Sequence, residues 1–418
     1  MKIYPKSHLA DVLKSVAKIP KEFEGRISWE SGALDRASFE ILYNLNFKTP
    51  VEDYIKDGAV WHALNECARA KNFAAPFFIG KLRAYLEDLL SKEPRSFTAV
   101  MQINAEFAVR LPKKIASVGG SVEIQTSLPR ACLKVISGLK EYERSRLNLQ
   151  DGFVFAITKV ASTNDRAALD IAYRRMKYAL GVLNLAIRGY GVSKRFGFPN
   201  APIGTLLSAS PVFTVDAAGK LGNWQSENHY PTPWKRNFRV WQAQPTEAIA
   251  TFAKHVASDL LRVDFPERLT QAVLLLQEGL ETGHVEVALL KFWTGIEVLC
   301  AREDREPSER IVERASSIFD DYQHAAMRLN FIQEFRNKVV HRGEAGDHAL
   351  LCAQYASLYL AALIRFFLWN VYKFRERDVI LDFLSLPLDE QKLAGRISLS
   401  RKRLTALKRM TARAAASS

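Results

Sequence analysis

The chain has 418 residues, 48% hydrophobic and 25% charged, with a formal net charge of +14. That length exceeds one ordinary core, so two or three domains are expected, with the balance of a soluble globular protein. Cys67, Cys132, Cys300 and Cys352 lie scattered without a CxxC pair, and the eight histidines form no HExxH; both facts argue against a disulfide framework or a metal cage.

The opening residues, "MKIYPKSHLADVLKS", lack the unbroken apolar run of a signal peptide, and the cysteine usage fits a reducing compartment. A cytoplasmic location is expected. Residues 1–95 read as mainly helical: "GAVWHALNECARAKNF" and "APFFIGKLRAYLEDLLSKEP" carry apolar residues at three- and four-residue steps between turn signals. Over 96–244 the pattern shifts to short β-rich runs, "SFTAVMQINAEFAVRL", "GGSVEIQTSL", "GFVFAITKV" and "SPVFTVD". One long helix interrupts them. Thr163 or Asn164 is placed to cap it, Leu169, Tyr173, Met176, Leu180, Leu183 and Ile187 mark its apolar face, and Gly189 and Gly191 end it.

From Pro245 apolar helices follow one another with short connections, which predicts an up-and-down bundle over 245–378. Ser308 stands where a helix cap belongs. The most apolar stretch, "YASLYLAALIRFFLWNVY", carries Arg365 near its middle and reads as a buried bundle helix rather than a membrane span. Residues 379–418 form a basic tail: eight of the net fourteen charges fall between Lys392 and Arg413, where no acid occurs. Such a tail suits phosphate backbones or anionic surfaces, and equally a solvated segment that aids solubility. The expected class is α+β: N-terminal helices, a largely antiparallel sheet domain, and a C-terminal helical bundle.

Motifs are few. There is no G-x-S-x-G elbow and no G-x-x-x-x-G-K-[ST] loop, and "GYGVSKRFG" has the wrong spacing for a dinucleotide loop. "WKRNFRVW" interleaves Lys235, Arg236 and Arg239 with aromatics; an RNA platform and a half-buried edge strand both explain it. The remaining stretch is "FIQEFRNKVVHRGEAGD". On a helix, Asn337 and His341 lie one above the other, whereas Arg336 and His341 are about 140° apart around the axis. One helix therefore does not aim both at one phosphate, and a symmetric dimer with two copies lining one cleft would.

"ALLKFWTGIEVLCA" followed by "FRNKVVHRG" resembles the HEPN superfamily, and within it the Apea-like group, over about a third of the chain. The resemblance implies a helical bundle whose R-x(4–6)-H motif marks metal-independent endoribonucleases acting in defence, stress response or toxin-like growth arrest. Carried over, Arg336 and His341 are the motif pair, Asn337 the polar neighbour, and Glu297 the acid on the preceding helix. The loose pattern also fits Arg342 to His348. The side chains suit RNA scission: an imidazole moves protons near neutrality, and a guanidinium fork meets phosphate charge. Such chemistry needs no metal and no cofactor. Lys338, Arg342, Lys235, Arg236, Arg239, Arg401, Lys402 and Arg403 are the candidate RNA contacts, and the partners expected are RNA and a second copy of the chain, with no membrane. A structural reading stands beside this one: Arg336 pairs with Glu297 or Glu334, and the bundle is a non-catalytic scaffold or an RNA- or protein-binding regulator.

Overall fold

The computed structural model describes residues 2–23, 26–29, 33–48, 51, 53–106, 111–117, 119–149, 151–188, 203–225, 246–260, 262–303, 306–342 and 348–416. The chain begins with β1 (Ile3–Pro5), α1 (Leu9–Val16), β2 (Lys21–Phe23), β3 (Arg26–Ser28), α2 (Ala33–Tyr43), β4 (Leu45–Phe47), α3 (Asp53–Arg69) and α4 (Ala75–Ser91). Four three-residue strands thus accompany the expected helices; so short a strand shows no two-residue period in sequence. β1 pairs with β4 and β2 with β3, both antiparallel. Leu9, Leu13, Ile41, Leu64, Phe78 and Leu82 are buried together beneath the helices.

A six-stranded sheet follows, built from β5 (Arg95–Glu106), β6 (Lys114–Ser117), β7 (Gly120–Gln125), β8 (Phe153–Ser162), β9 (Val212–Asp216) and β10 (Leu221–Gln225). Its order is β10-β9-β5-β8-β7-β6, with β7 pairing antiparallel to both β6 and β8. Two helices between β7 and β8 are not evident from the apolar pattern: α5 (Arg130–Ser137) and the short α6 (Glu141–Leu147). The long helix α7 (Asp165–Arg188) starts as expected, with the Ala167 amide donating to Asn164 Oδ1 at 2.7 Å. The glycines expected to end it, and the "WKRNFRVW" stretch, lie outside the described residues.

The helical region comprises α8 (Thr246–Leu260), α9 (Pro266–Glu281), α10 (Val285–Cys300), α11 (Ser308–Ser316), α12 (Tyr322–Arg342), α13 (Ala349–Trp369), α14 (Arg377–Leu384) and α15 (Glu390–Ala416). Ser308 is not the cap of α11: Pro307 occupies that position, and no side-chain hydrogen bond closes the end. α9, α10 and α13 pack on one another, with α12 against α10 and α13. α13 is the described helix long and apolar enough to cross a membrane by length and composition. Here much of it is covered by protein, and Arg365 donates to the Leu185 carbonyl and lies over the Phe252 ring.

The chain divides into two compact units. One holds Met1–Thr98 with Val160–Ile171 and Thr214–Asn223, and the other holds Ala99–Lys159, Ala172–Phe213 and Trp224–Ser418. Most of the sheet segment at 96–244 and all of the bundle at 245–378 therefore belong to one unit.

An extended segment, 204–210, explains the coherence of this second unit. Residues 206–210 are buried, so each backbone polar group must find a partner away from water. Asn184 accepts from the Leu206 amide at 3.0 Å and donates to the Leu206 carbonyl at 2.8 Å. Gln277 donates to that same carbonyl. Asn104 serves Leu207 and Thr205 from β5, and Glu281 Oε1 accepts from the Ser208 amide at 2.9 Å. The other carboxylate oxygen pairs with Lys177, which also donates to Ser208 Oγ at 3.0 Å; both charged side chains are only 1% exposed. At Gly181 a Cβ would stand 2.7 Å from Val273 Cγ1 and 2.9 Å from the Val273 carbonyl oxygen, so α7 needs glycine to approach α9.

A second polar knot closes the far end of α10. Arg314 makes a two-pronged contact with Glu306 at 2.7 and 2.8 Å, donates to the Cys300 carbonyl, and reaches Ser385 Oγ. The Arg314 guanidinium holds the Glu306 carboxyl below its usual range.

Two predictions arise. Glu281→Ala strands the buried Lys177 charge, so denaturant unfolding should show a loss of about 3–5 kcal/mol; a loss below about 1 kcal/mol by the same scale would deny the pair its role. For Glu306, a depressed folded-state pKa means stabilisation that is complete above the ordinary carboxylate range and lost as pH falls through and below it. Glu306→Gln should therefore lower the unfolding midpoint at neutral pH, with the gap from wild type closing toward about pH 3.

Candidate functional site

α12 sets the geometry of the candidate site. Ala325, Leu329 and Ile332 form its buried stripe at four- and three-residue steps, and Arg336 follows four residues later on the same face. A guanidinium thus occupies a position where the helix otherwise places core residues. It is neither sealed nor free: the Arg336 side chain is 28% exposed and that of Glu297 29%.

Glu297 comes from α10, whose buried face is Ala288, Leu289, Phe292, Trp293, Ile296, Leu299 and Cys300. Trp293 lies one turn before Glu297, and its indole N–H donates to Glu297 Oε1 at 2.7 Å. The same oxygen lies 3.6 Å from Arg336 Nη2, an ion pair rather than a direct hydrogen bond. Arg336 Nη1 donates to Asn337 Oδ1 at 3.1 Å. Arg336 Nε is buried without a hydrogen-bond partner. Glu297, rather than Glu334, is the carboxylate that meets Arg336.

His341 is exposed, in the last turn of α12, on the side of the helix away from the buried stripe. Lys338, three residues before it, is exposed on that side too, one turn after Glu334, and Met327 and Phe331 are exposed further back along the same side. The structure therefore brings Glu297, Arg336 and Asn337 together; Arg336 meets Glu297 on the packed side of α12, His341 and Lys338 lie on its outer side, and Asn337 falls between, one turn before His341. Arg342 closes α12. His348 is exposed just before α13, its ring 6.2 Å from that of Phe331. Lys235, Arg236 and Arg239 lie outside the described residues. Arg401, Lys402 and Arg403 are exposed on α15, and among the described residues no hydrogen bond or ion pair links them to the Glu297 cluster.

Other chemistries find less to work with. All four cysteines are buried; burial pushes the Cys67 thiol up to about 11 and that of Cys300 to about 12, which makes both poor nucleophiles. Among the described residues no three His, Cys, Asp or Glu side chains stand close enough to hold a metal ion. The role of Trp293 in orienting Glu297 is the feature that sequence reading passes over, although their four-residue spacing signals it. No protein-family model matches the chain, and neither does any curated protein or solved structure.

The half-exposed geometry predicts how Arg336 contributes to stability. A partly solvated pair is worth about 0–1 kcal/mol. Arg336→Leu, which continues the apolar stripe, should stay within about 1 kcal/mol of wild type in denaturant unfolding. A much larger loss would make Arg336 a structural latch.

Proposed function

We propose that this chain is a metal-independent endoribonuclease of the HEPN kind, with a site composed from two copies. The observation that supports this most is the partly exposed Glu297–Arg336–Asn337 cluster, whose Arg336 and Asn337 stand on the helix that also presents His341. In this reading one His341 takes the proton of a ribose 2′-hydroxyl while its oxygen bonds to phosphorus. The bond to the 5′-oxygen breaks, and a protonated His341 from the second copy supplies that oxygen with a proton. The products are a 2′,3′-cyclic phosphate and a 5′-hydroxyl, and DNA is spared. Arg336 meets the charge that grows on the phosphate, and Glu297, held by Trp293, keeps the guanidinium in place.

The need for two copies follows from the helix: Arg336 and His341 point about 140° apart, so a single protomer divides them. Each copy would therefore carry its His341 to the Glu297–Arg336 edge of the other; a contact made only across the outer face of α12, where Met327, Phe331, Glu334 and Lys338 are exposed, would pair the two imidazoles and leave both guanidiniums behind. Activity in defence, stress response or growth arrest belongs to the same reading.

A non-catalytic scaffold is the second reading. It is favoured by the commitment of Arg336 to Glu297 and Asn337, with Nε buried. Incubating the purified chain with mixed RNAs in EDTA separates the two. The nuclease should leave cyclic-phosphate ends, and His341→Ala and Arg336→Ala should each lower the rate about 10²-fold or more. Intact RNA, or cutting unchanged in both variants, would overturn the proposal and leave the scaffold.

A further inference from the structure

α15 is a 27-residue helix with a single acid, Glu390, at its start, and eight Lys or Arg after it. From 391 to 405 every residue is exposed except the half-buried Leu393. A helix with this much like charge is poorly stabilised alone; Lys392 and Arg396, four apart, repel one another, and Arg401, Lys402 and Arg403 follow in one run. The arrangement calls for an anionic partner.

The apolar residues decide which kind. Leu393, Ile397 and Leu404 fall within about 40° of one another around the axis, and Ser400 falls in the same stripe. Ile397 is 48% exposed and Leu404 55%, so this chain leaves much of the stripe open. Arg396 and Arg403 border the stripe on one side and Arg401 on the other. An RNA backbone would neutralise the charges and leave the stripe in water. A second copy of the helix would cover the stripe but bring the basic borders against each other. An anionic bilayer surface satisfies both features, because the stripe enters the headgroup boundary while the flanking cations meet lipid phosphates and carboxylates.

We propose that α15 docks this protein on anionic membrane surfaces, lying in the plane of the interface with Leu393, Ile397 and Leu404 buried in lipid. The inference is independent of the nuclease reading, since it involves none of Glu297, Arg336, Asn337 or His341. It assigns Arg401 and Arg403 to lipid headgroups rather than to RNA, with Lys402 on the far side of the helix adding to the general attraction, and it departs from the expectation of no membrane partner.

The test is co-sedimentation of the full chain with vesicles of phosphatidylcholine alone or mixed with phosphatidylserine, beside titration of a labelled RNA. Sedimentation is expected with the mixed vesicles only. Ile397→Ser with Leu404→Ser, which keeps every charge, should weaken vesicle binding about tenfold or more. Arg401→Gln with Lys402→Gln and Arg403→Gln should weaken it as well. Both variants should unfold at the wild-type midpoint, as expected for exposed positions. Equal binding to neutral vesicles, or full binding by the serine variant, would overturn the proposal. So would absence of vesicle binding with RNA affinity that falls only in the glutamine variant; that result would make α15 an RNA contact.

Discussion

The buried Lys177–Glu281 pair is the constraint around which the larger unit is arranged. Two opposite charges, each almost wholly removed from water, are tolerable only while they hold one another and their remaining valences are filled. Ser208 fills them with its amide and hydroxyl. Because Ser208 lies on an extended segment, that segment is held between α7 and α9, and Asn184, Gln277 and Asn104 satisfy its neighbouring backbone groups. The sheet portion and the helical region of this unit are thereby joined by hydrogen bonds whose loss would leave polar atoms stranded. Gly181 allows the two helices to come close enough for this network to form.

The candidate site inherits its position from that frame. α9 and α13 clasp α10, and α10 presents Glu297 beside α12. On α12 the helical period places a guanidinium on the buried stripe. Ordinary packing would favour an aliphatic residue at Arg336; the arginine is tolerated through Glu297, Asn337 and partial access to solvent. Such a departure from the local pattern is where function is expected to reside. It is consistent with the proposed nuclease, in which this arginine needs both a fixed direction and a path to the phosphate.

Charge is distributed unevenly along the molecule. Half of the net positive charge falls on α15, away from the cluster in sequence and with no described bond to it. A basic overall composition would by itself suggest nucleic acid. The exposed aliphatic stripe on the same helix separates the proposed docking role from the proposed catalytic one, since phosphate backbones do not reward apolar burial.

The sequence by itself determined the helices with a clear apolar period, α3, α4, α7 and α8 to α13, the antiparallel strands around β7 and β8, and the cap at Asn164. These features are local: a period, a turn or a cap. Glu297, Arg336, Asn337 and His341 are singled out by the resemblance of two short stretches to a known superfamily, not by such a period. The three-residue strands and α5 and α6 escaped because short elements carry too few residues to display a period, whereas the cap expected at Ser308 failed because Pro307 holds the cap position and Ser308 is already the first helical residue. Only tertiary structure decided that Glu297 meets Arg336, that Glu281 answers Lys177, and that residues 206–210 are buried. Each joins residues far apart in the chain, and which distant carboxylate reaches which cation depends on how helices approach one another.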